Sequence, residues 1–502
     1  MRRAAAALAG LVLGLGAAVA GCTDSPDDEA DPQLQPSEAV ASGDVMPLSL
    51  LVFNVEYGGS NATDQVMADI DADVVGVLES YNRLPEIAAK TGYPYYNVGL
   101  QILSKYPILE PSGADGRHAF LEVRPGEAVA MINTHLDYVQ DGPNRLERGV
   151  PLAEVLATER EVRLSSVETL LPSATRLLGQ GWPLLFTGDL NEPSHLDWTA
   201  ATAAQHGGHG PVPWPVSEAL VDAGLRDTYR ETHPDPLADP GNTWGQVAGS
   251  GGSPRRIDYA YAGGPVEVES AEVVGEQGAD GVDRGYPRWT SDHRAVLAQL
   301  DVTPVPLPTL IALSSRLVTV GDAVTVTYRL PPGDSSGTVE LSGPSTASYD
   351  VSGQAGTVEV DTASLAPGAY RVDLVDVDGS VAASNDLYVR PQAARVDLAT
   401  DAETYGVGDP ITVSWTDGPA NRWDWIGVYR AEAADPKTDD YLVWGYTGGH
   451  DSGALPPTTD GELVLGRDHQ GRPWPLPPGR YVVHYLLTDQ YVSAGSTSFT
   501  VR

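Results

Sequence analysis

Cysteine is all but missing from this chain: Cys22 is the only one in 502 residues. No intramolecular disulfide is therefore possible, and the lack of a second thiol argues against cysteine-based catalysis. Lysine is nearly as scarce, with Lys90, Lys105 and Lys437 standing alone among basic residues that are otherwise arginine. Positive charge as a whole is in deficit, 31 Lys and Arg against 68 Asp and Glu, for a net charge of -37. So acidic a surface repels a phosphate backbone and disfavours loose electrostatic binding of DNA or RNA, although bound cations can offset the field locally. Long charge runs and low-complexity tracts are absent too. With 41% hydrophobic residues the chain can build folded cores, and its length calls for two to four of them.

The one cysteine sits in an informative place. Arg2 and Arg3 precede a run of small and apolar residues from Ala4 to Ala20, too brief for a membrane span and flanked as an export signal is. Val19-Ala20-Gly21-Cys22 reads as a lipobox. The expectation is a signal peptide over 1–21, lipidation at Cys22, and a chain secreted to the outer face of the cell membrane and anchored there. Residues 22–45, rich in Asp, Glu, Pro, Ser and Gln, read as a solvated tether.

From Leu48 the character changes. Apolar strand-like runs such as Leu48-Ser49-Leu50-Leu51-Val52-Phe53, Asp73 to Leu78, Ala128 to Ile132 and Pro183 to Phe186 alternate with helical stretches, among them Val150 to Leu171. This predicts an α/β domain over 46–302. Thr303 to Pro308 reads as a stiff proline-rich linker. Short alternating strands follow, with two loosely matching turn-strand segments, Val318 to Val326 and Tyr405 to Val413. They predict two all-β sandwiches of immunoglobulin-like type, over 303–391 and 392–502.

Polar residues gather where the predicted strands of the first domain end. Asn54 and Glu56 follow the first strand, Glu79 the second, His135 and Asp137 the strand ending Asn133-Thr134. Asp189 and Asn191 lie in Thr187-Gly188-Asp189-Leu190-Asn191, Asp258 in Arg256-Ile257-Asp258-Tyr259, and Asp292 and His293 in Ser291-Asp292-His293. Any one of them alone reads as a turn residue, a cap or a solvated strand end. Together they are a set of hard oxygen ligands with two histidines at one kind of position, which suits Mg²⁺, Mn²⁺ or Ca²⁺ rather than zinc.

These strings, with Ile102-Leu103-Ser104-Lys105-Tyr106-Pro107-Ile108, run in the order of the endonuclease/exonuclease/phosphatase superfamily, the deoxyribonuclease-like enzymes, which the segment from about Leu48 to Leu300 resembles. The resemblance implies a four-layer sandwich, α/β (α+β), of two mixed sheets flanked by helices, and a metal-dependent hydrolysis of a phosphodiester or phosphomonoester. It implies Asn54, Glu79 and Asp292 around the cation and His135, Asp189, Asn191, Asp258, Asp292 and His293 as catalytic residues, with His293 held by Asp292. Asn191 would also bind a phosphate oxygen. Arg256 is a further candidate for holding substrate phosphate, the alternative being a pairing with a surface carboxylate.

Three classes of function remain: a phosphoesterase, favoured on small or lipid-derived esters because of the acidic charge, with a secreted nuclease as runner-up and nucleic acid a partner only as substrate; a binding protein on an inactive scaffold; and a serine hydrolase using Ser104, His135 and an Asp. The last has no GxSxG elbow around Ser104. His206-Gly207-Gly208-His209 reads as a flexible loop rather than a metal site, and Trp423 and Trp425 as aromatics packing a sandwich.

Overall fold

A computed structural model of the chain describes residues 44–502 apart from 82, 115, 248–251, 391–395, 420–422, 433–435, 437–440, 448–458, 467–469, 472 and 488–490. The expected export segment, Cys22 and the tether as far as residue 43 lie outside the described residues.

Fourteen strands carry the first part of the described chain. They are β1 (Met46–Asn54), β2 (Val74–Leu78), β3 (Tyr95–Asn97), β4 (Ile102–Ser104), β5 (Ile108–Leu109), β6 (Ala119–Arg124), β7 (Glu127–His135), β8 (Leu184–Asp189), β9 (Arg226–Asp227), β10 (Asp258–Gly263), β11 (Val266–Glu276), β12 (Arg284–Tyr286), β13 (Ala295–Val302) and β14 (Val305–Pro306). One mixed sheet runs β12-β11-β13-β1-β2-β4-β3 and the other β5-β6-β7-β8-β10-β9, with β14 added beside β7. In each sheet the central pair is parallel, β1 with β2 and β7 with β8, and its neighbours β13 and β10 run antiparallel.

Period-two alternation explains the layering. Leu48, Leu50 and Val52 of β1 meet Val129 and Met131 of β7 and Leu185 of β8 in one core between the sheets. Leu51 and Phe53 face the other way, onto helices α1 (Asn61–Ile70) and α2 (Leu84–Thr91). On the far side, Ile132, Phe186 and Tyr261 pack against α5 and α6, where α3 is Gly142–Glu147, α4 Leu152–Glu159, α5 Ser165–Gly179 and α6 Pro215–Asp222. The result is helix, sheet, sheet, helix: the four-layer α/β sandwich that the resemblance implied.

The proline-rich stretch is not a free spacer. Val305 pairs with Ala128 and Leu307 N–H donates to Gly126 O, so the chain adds a strand to the second sheet before leaving it. Proline costs nothing at such an edge position. Beyond lie more sheets. Leu310–Leu313, Ala323–Arg329 and Ala355–Asp361 form a three-stranded sheet that shares a core with a five-stranded one. A second three-stranded sheet, Asp397–Thr400, Ile411–Thr416 and Gly461–Leu465, shares a core with a six-stranded one. In both larger sheets a short early strand runs parallel to the last, Leu317–Thr319 beside Val381–Arg390 and Thr404–Tyr405 beside Ser493–Val501.

Candidate active site

The alternation that builds the inter-sheet core also builds the site. Along β7 the inward positions run Val129, Met131, Asn133, His135; along β8, Leu185, Thr187, Asp189; along β1, Leu48, Leu50, Val52, Asn54. Each series begins apolar and turns polar at one end of the layer. Antiparallel β10 enters at that same end with Asp258 opposite Asp189, while His135 lies opposite Asp189 on β7. Asp292 and His293 precede β13, which runs antiparallel to β1. Residues from 54 to 293 are thus brought to one edge by register alone.

Backbone geometry concentrates there as well. Glu56, Tyr57, Glu79, Tyr81 and Asn191 all have φ between 40 and 58°. A left-handed conformation is costly for such residues and persists where the surroundings over-determine it, which is characteristic of functional sites. Hydrogen bonds supply the constraint: Glu79 Oε2 accepts from Tyr57 N–H at 3.0 Å, and Asn191 N–H donates to Asp189 Oδ1 at 2.9 Å.

Asn54 is fully buried and its amide nitrogen donates to Glu79 Oε1 at 3.1 Å and Asp189 Oδ2 at 3.0 Å, tying the two sheets' carboxylates together. His135 Nε2 stands 3.5 Å from Asp189 Oδ2 and 3.3 Å from the Asn191 amide nitrogen. That amide also donates to Leu136 O at 2.9 Å, so Asn191 orients the loop and ring beside it. Glu56 Oε2 accepts from Asp292 N–H at 3.0 Å, and Asp292 Oδ2 from the Trp244 indole at 3.3 Å. Burial and the neighbouring Asp292 raise the Glu56 carboxyl above its ordinary value; burial raises Asp292 likewise, against the pull of His293.

His293 departs from expectation in its partner. Asp292 Oδ1 is 3.9 Å from its Nε2, whereas its Nδ1 lies 2.9 Å from Asp258 Oδ2. Asp258 is wholly buried behind the ring, with its N–H on Thr243 Oγ1. It therefore reaches the site through His293. Burial alone would depress the His293 pKa, but Asp258, then Asp189, more than reverse this and lift it to about 10. Its Nε2 lies 3.7 Å from Asp189 Oδ2.

Arg256 is not a phosphate ligand. It is buried at 2% exposure, bonded to Asp227 at 2.7 Å and Asp197 at 2.8 Å, both of them interior carboxylates. A guanidinium so enclosed is part of the scaffold. Ser104 is buried within β4, and its hydroxyl accepts from Tyr106 N–H. His206 ends a short helical turn and stacks on Trp198 at 4.0 Å and 9°, so that segment is held by packing. Tyr57, Tyr81, Tyr138 and Trp244 line the cleft beside Glu79 and His293, and rings of the C-terminal sheets line it as well. Of these the sequence singles out only Trp425, and reads it as a packing aromatic.

Asp189, Asp258 and His293 each offer an atom within 4.8 Å of the others, a group that could hold a metal ion. His293 Nδ1 is already engaged by Asp258, however, and the oxygens of Glu79, Glu56 and Asp292 lie nearby with carboxyl groups held above their usual range in the last two. Crowded acids of this kind fit a hard divalent cation, which relieves their repulsion.

Residues 51–293 match the model of the Endonuclease/Exonuclease/phosphatase family. An uncharacterized protein of Caenorhabditis elegans is 28% identical over 293 residues, which is 50% of this chain and 90% of that protein. Among solved structures, an endonuclease/exonuclease/phosphatase from Beutenbergia cavernae is 17% identical, covering 68% of this chain and 99% of that one with a TM-score of 0.31. A mannosyl-6-phosphatase of Bacteroides thetaiotaomicron is 14% identical, covering 50% of this chain and 99% of that one with a TM-score of 0.32. The family match supports the superfamily for this part of the chain.

Proposed function

We propose that the chain, an enzyme of the phosphoester-hydrolase class, uses a divalent cation to hydrolyse a small or lipid-derived phosphoester by attack of water at phosphorus. The observation that carries this is the meeting of Asn54, Glu79, His135, Asp189, Asp292 and the His293–Asp258 pair at one end of the inter-sheet layer. Glu79 and Asp292, with Asn54 beside them, would hold the cation. Bound there, it supplies neutralisation of the phosphate's negative charge and support for the departing oxygen.

The chain's own groups do the rest. Asp189, fixed by Asn54 and Asn191, orients the attacking water and takes its proton as the new P–O bond forms. His293, kept cationic by Asp258, donates from Nε2 to the phosphoryl oxygens, whose charge it meets with a full positive charge in a buried setting. His135 stands on the other side of Asp189 and delivers a proton to the leaving oxygen as its bond to phosphorus breaks. Asn191 keeps His135 and Asp189 in register.

Protein beginning at residue 23 should be assayed against a panel of DNA, RNA, nucleotides, sugar phosphates and lipid phosphoesters with Mg²⁺, Mn²⁺, Ca²⁺ or chelator, and with Glu79→Ala as the blank. His293→Ala and Asp189→Asn are expected to lower turnover by about 10²-fold or more with unchanged circular dichroism. Wild-type turnover in either variant removes that residue from the mechanism, and plasmid cleavage at the lowest enzyme concentration replaces the small-ester reading with a nuclease.

We further propose that Cys22 is the lipidated first residue of the mature protein. Cys22→Ser should then release the enzyme from the membrane fraction; retention there would refute it.

A further inference from the structure

The cleft over His135 and His293 has a second wall that no residue of the first two sheets supplies. Trp425, Trp444 and Tyr446 of the six-stranded C-terminal sheet, with Tyr441 and Tyr491 from the segments beside it, line the same opening of about 480 Å³. A hydrogen bond joins the two sides at the rim, Tyr138 OH to Tyr441 OH at 2.8 Å. The rings stand on edge to one another: Trp425 makes 85° with Trp444 at 6.2 Å and 81° with Tyr491 at 5.8 Å, and Tyr441 makes 78° with Trp444 at 6.3 Å. Such a wall presents ring faces in several directions. It differs from the pair of parallel faces that grips a flat base or sugar.

Charge narrows the occupant. Of the acids lining the cleft, Glu79, Asp189 and Asp292 serve the cation, the water and His293, and Asp141 is paired with Arg255, so the acid beside the aromatic wall is Asp137. Asp137 lies close enough to Tyr441 to help raise the phenol's pKa, after burial and the bond to Tyr138. Ring faces are electron-rich and attract cations, most strongly where water is excluded. An anionic chain beyond the scissile phosphate would meet acids and ring faces alike.

We propose that the C-terminal sheets complete the substrate site, and that their aromatic wall, with Asp137, binds an organic ammonium group on an alcohol esterified to the scissile phosphate. This rests on the phosphoesterase reading. The last pair of sheets is then a specificity element rather than a mere extension, and the site is incomplete without it.

Two p-nitrophenyl diesters that share a leaving group test it: one carries choline, the other its uncharged carbon isostere 3,3-dimethylbutanol. The full chain from residue 23 is expected to prefer the choline ester at least tenfold in kcat/KM, through KM. Trp444→Ala should abolish the preference. Because Trp444 also packs within its sheet, Tyr491→Ala, at a residue 39% exposed, provides the variant that keeps the fold. It and Asp137→Asn should each reduce the preference several-fold. Calorimetric titration of phosphocholine into the same proteins, in buffer and with phosphocholine-headgroup vesicles in competition, reads binding apart from hydrolysis and tells a soluble ester from a lipid surface. Equal rates for the two diesters, or a preference that survives all three substitutions, overturns the proposal. If instead phosphocholine binds as expected but neither diester is hydrolysed with any cation, the phosphoesterase reading has failed and the ammonium site stands.

Discussion

His118 lies fully buried with its ring 5.7 Å from that of Phe120. Burial, aided by Arg176 and Arg117, drives its pKa down to about 3. The unfolded chain protonates the same residue near pH 6.5, so between the two values the unfolded state binds a proton that the native state refuses. Its contribution is therefore present above about pH 6.5 and lost as the pH falls, by about 2 kcal/mol at pH 5. Urea unfolding of wild type and His118→Leu at pH 7.5 and pH 5 checks this: the variant should gain on wild type by about that amount at the lower pH. A parallel shift of both proteins would contradict it.

The same scale separates two aspartates that look alike in sequence. Asp292 is His293's neighbour along the chain, yet the ring's partner is Asp258, 35 positions away. No local signal distinguishes them, because the choice is made by register across β8 and β10 and not by adjacency. Asp258→Asn should lower kcat by about 10²-fold at saturating Mg²⁺, since the imidazolium loses the group that sustains it. Asp292→Asn should instead raise the Mg²⁺ concentration needed for half-maximal rate. An exchange of these two behaviours would reverse the assignment. Arg256 stays ambiguous in the sequence for the related reason that an arginine before a strand-start aspartate looks the same whether it faces a phosphate or, as here, two interior acids.

Among the elements, β2 is held to the second sheet by a polar clasp. Asn133 donates to Val77 O of β2 at 3.3 Å and, in the turn before β4, to Leu100 O at 3.0 Å and Gln101 O at 3.1 Å, and it accepts from Thr187 Oγ1 at 2.8 Å. Gly76 leaves room for it: a Cβ there would meet Asn133 Oδ1 at 2.7 Å and the Thr187 hydroxyl closer still. Since Glu79 follows β2 and Asp189 ends β8, the clasp sets the distance between the metal-side and water-side carboxylates. Gly76→Ala should destabilise the protein by about 1–3 kcal/mol through overpacking and lower turnover more than any stability loss explains. Thermal unfolding and kcat measured together test it, and a Gly76→Ala enzyme of wild-type kcat would contradict the spacing argument.

A second brace has a different origin. The helix running from α4 into α5 contains a π turn at Arg160–Leu164, which puts buried Arg163 on Glu159 at 2.6 Å and on Val139 O at 2.8 Å. Val139 belongs to the loop carrying Asp137 and Tyr138. Helical spacing over Val150 to Leu171 was legible in the sequence, but an inserted residue in the turn was not, since apolar periodicity tolerates it. Strand alternation was the most legible feature of all. The polar ends of those alternating series gave away the site, whereas the docking of Trp425 and Tyr441 over it depends on contacts between distant parts of the chain and leaves no periodic mark.

For the whole molecule, the net charge of -37 makes approach of a polyanion unfavourable and screening by salt helpful. Any residual cleavage of single-stranded DNA should accelerate when ionic strength rises from about 0.01 to 0.15 M, as the Debye length shrinks from roughly 30 to 8 Å. Hydrolysis of a small ester should be nearly indifferent. A DNA rate that falls with salt in the manner of a counterion-releasing nuclease would favour the nuclease reading. The described strands and helices of 44–302 bring distant residues to a single edge, and the central claim is that this edge is one cation-dependent reaction centre. The most direct measurement is the rate of bis(p-nitrophenyl) phosphate hydrolysis by chelator-stripped protein, before and after Mg²⁺ is restored, for wild type and Glu79→Ala side by side. The rate should be lost on stripping and recovered by wild type but not by the variant; a rate that ignores the chelator, or a Glu79→Ala enzyme that recovers fully, would rule out a cation held at Glu79.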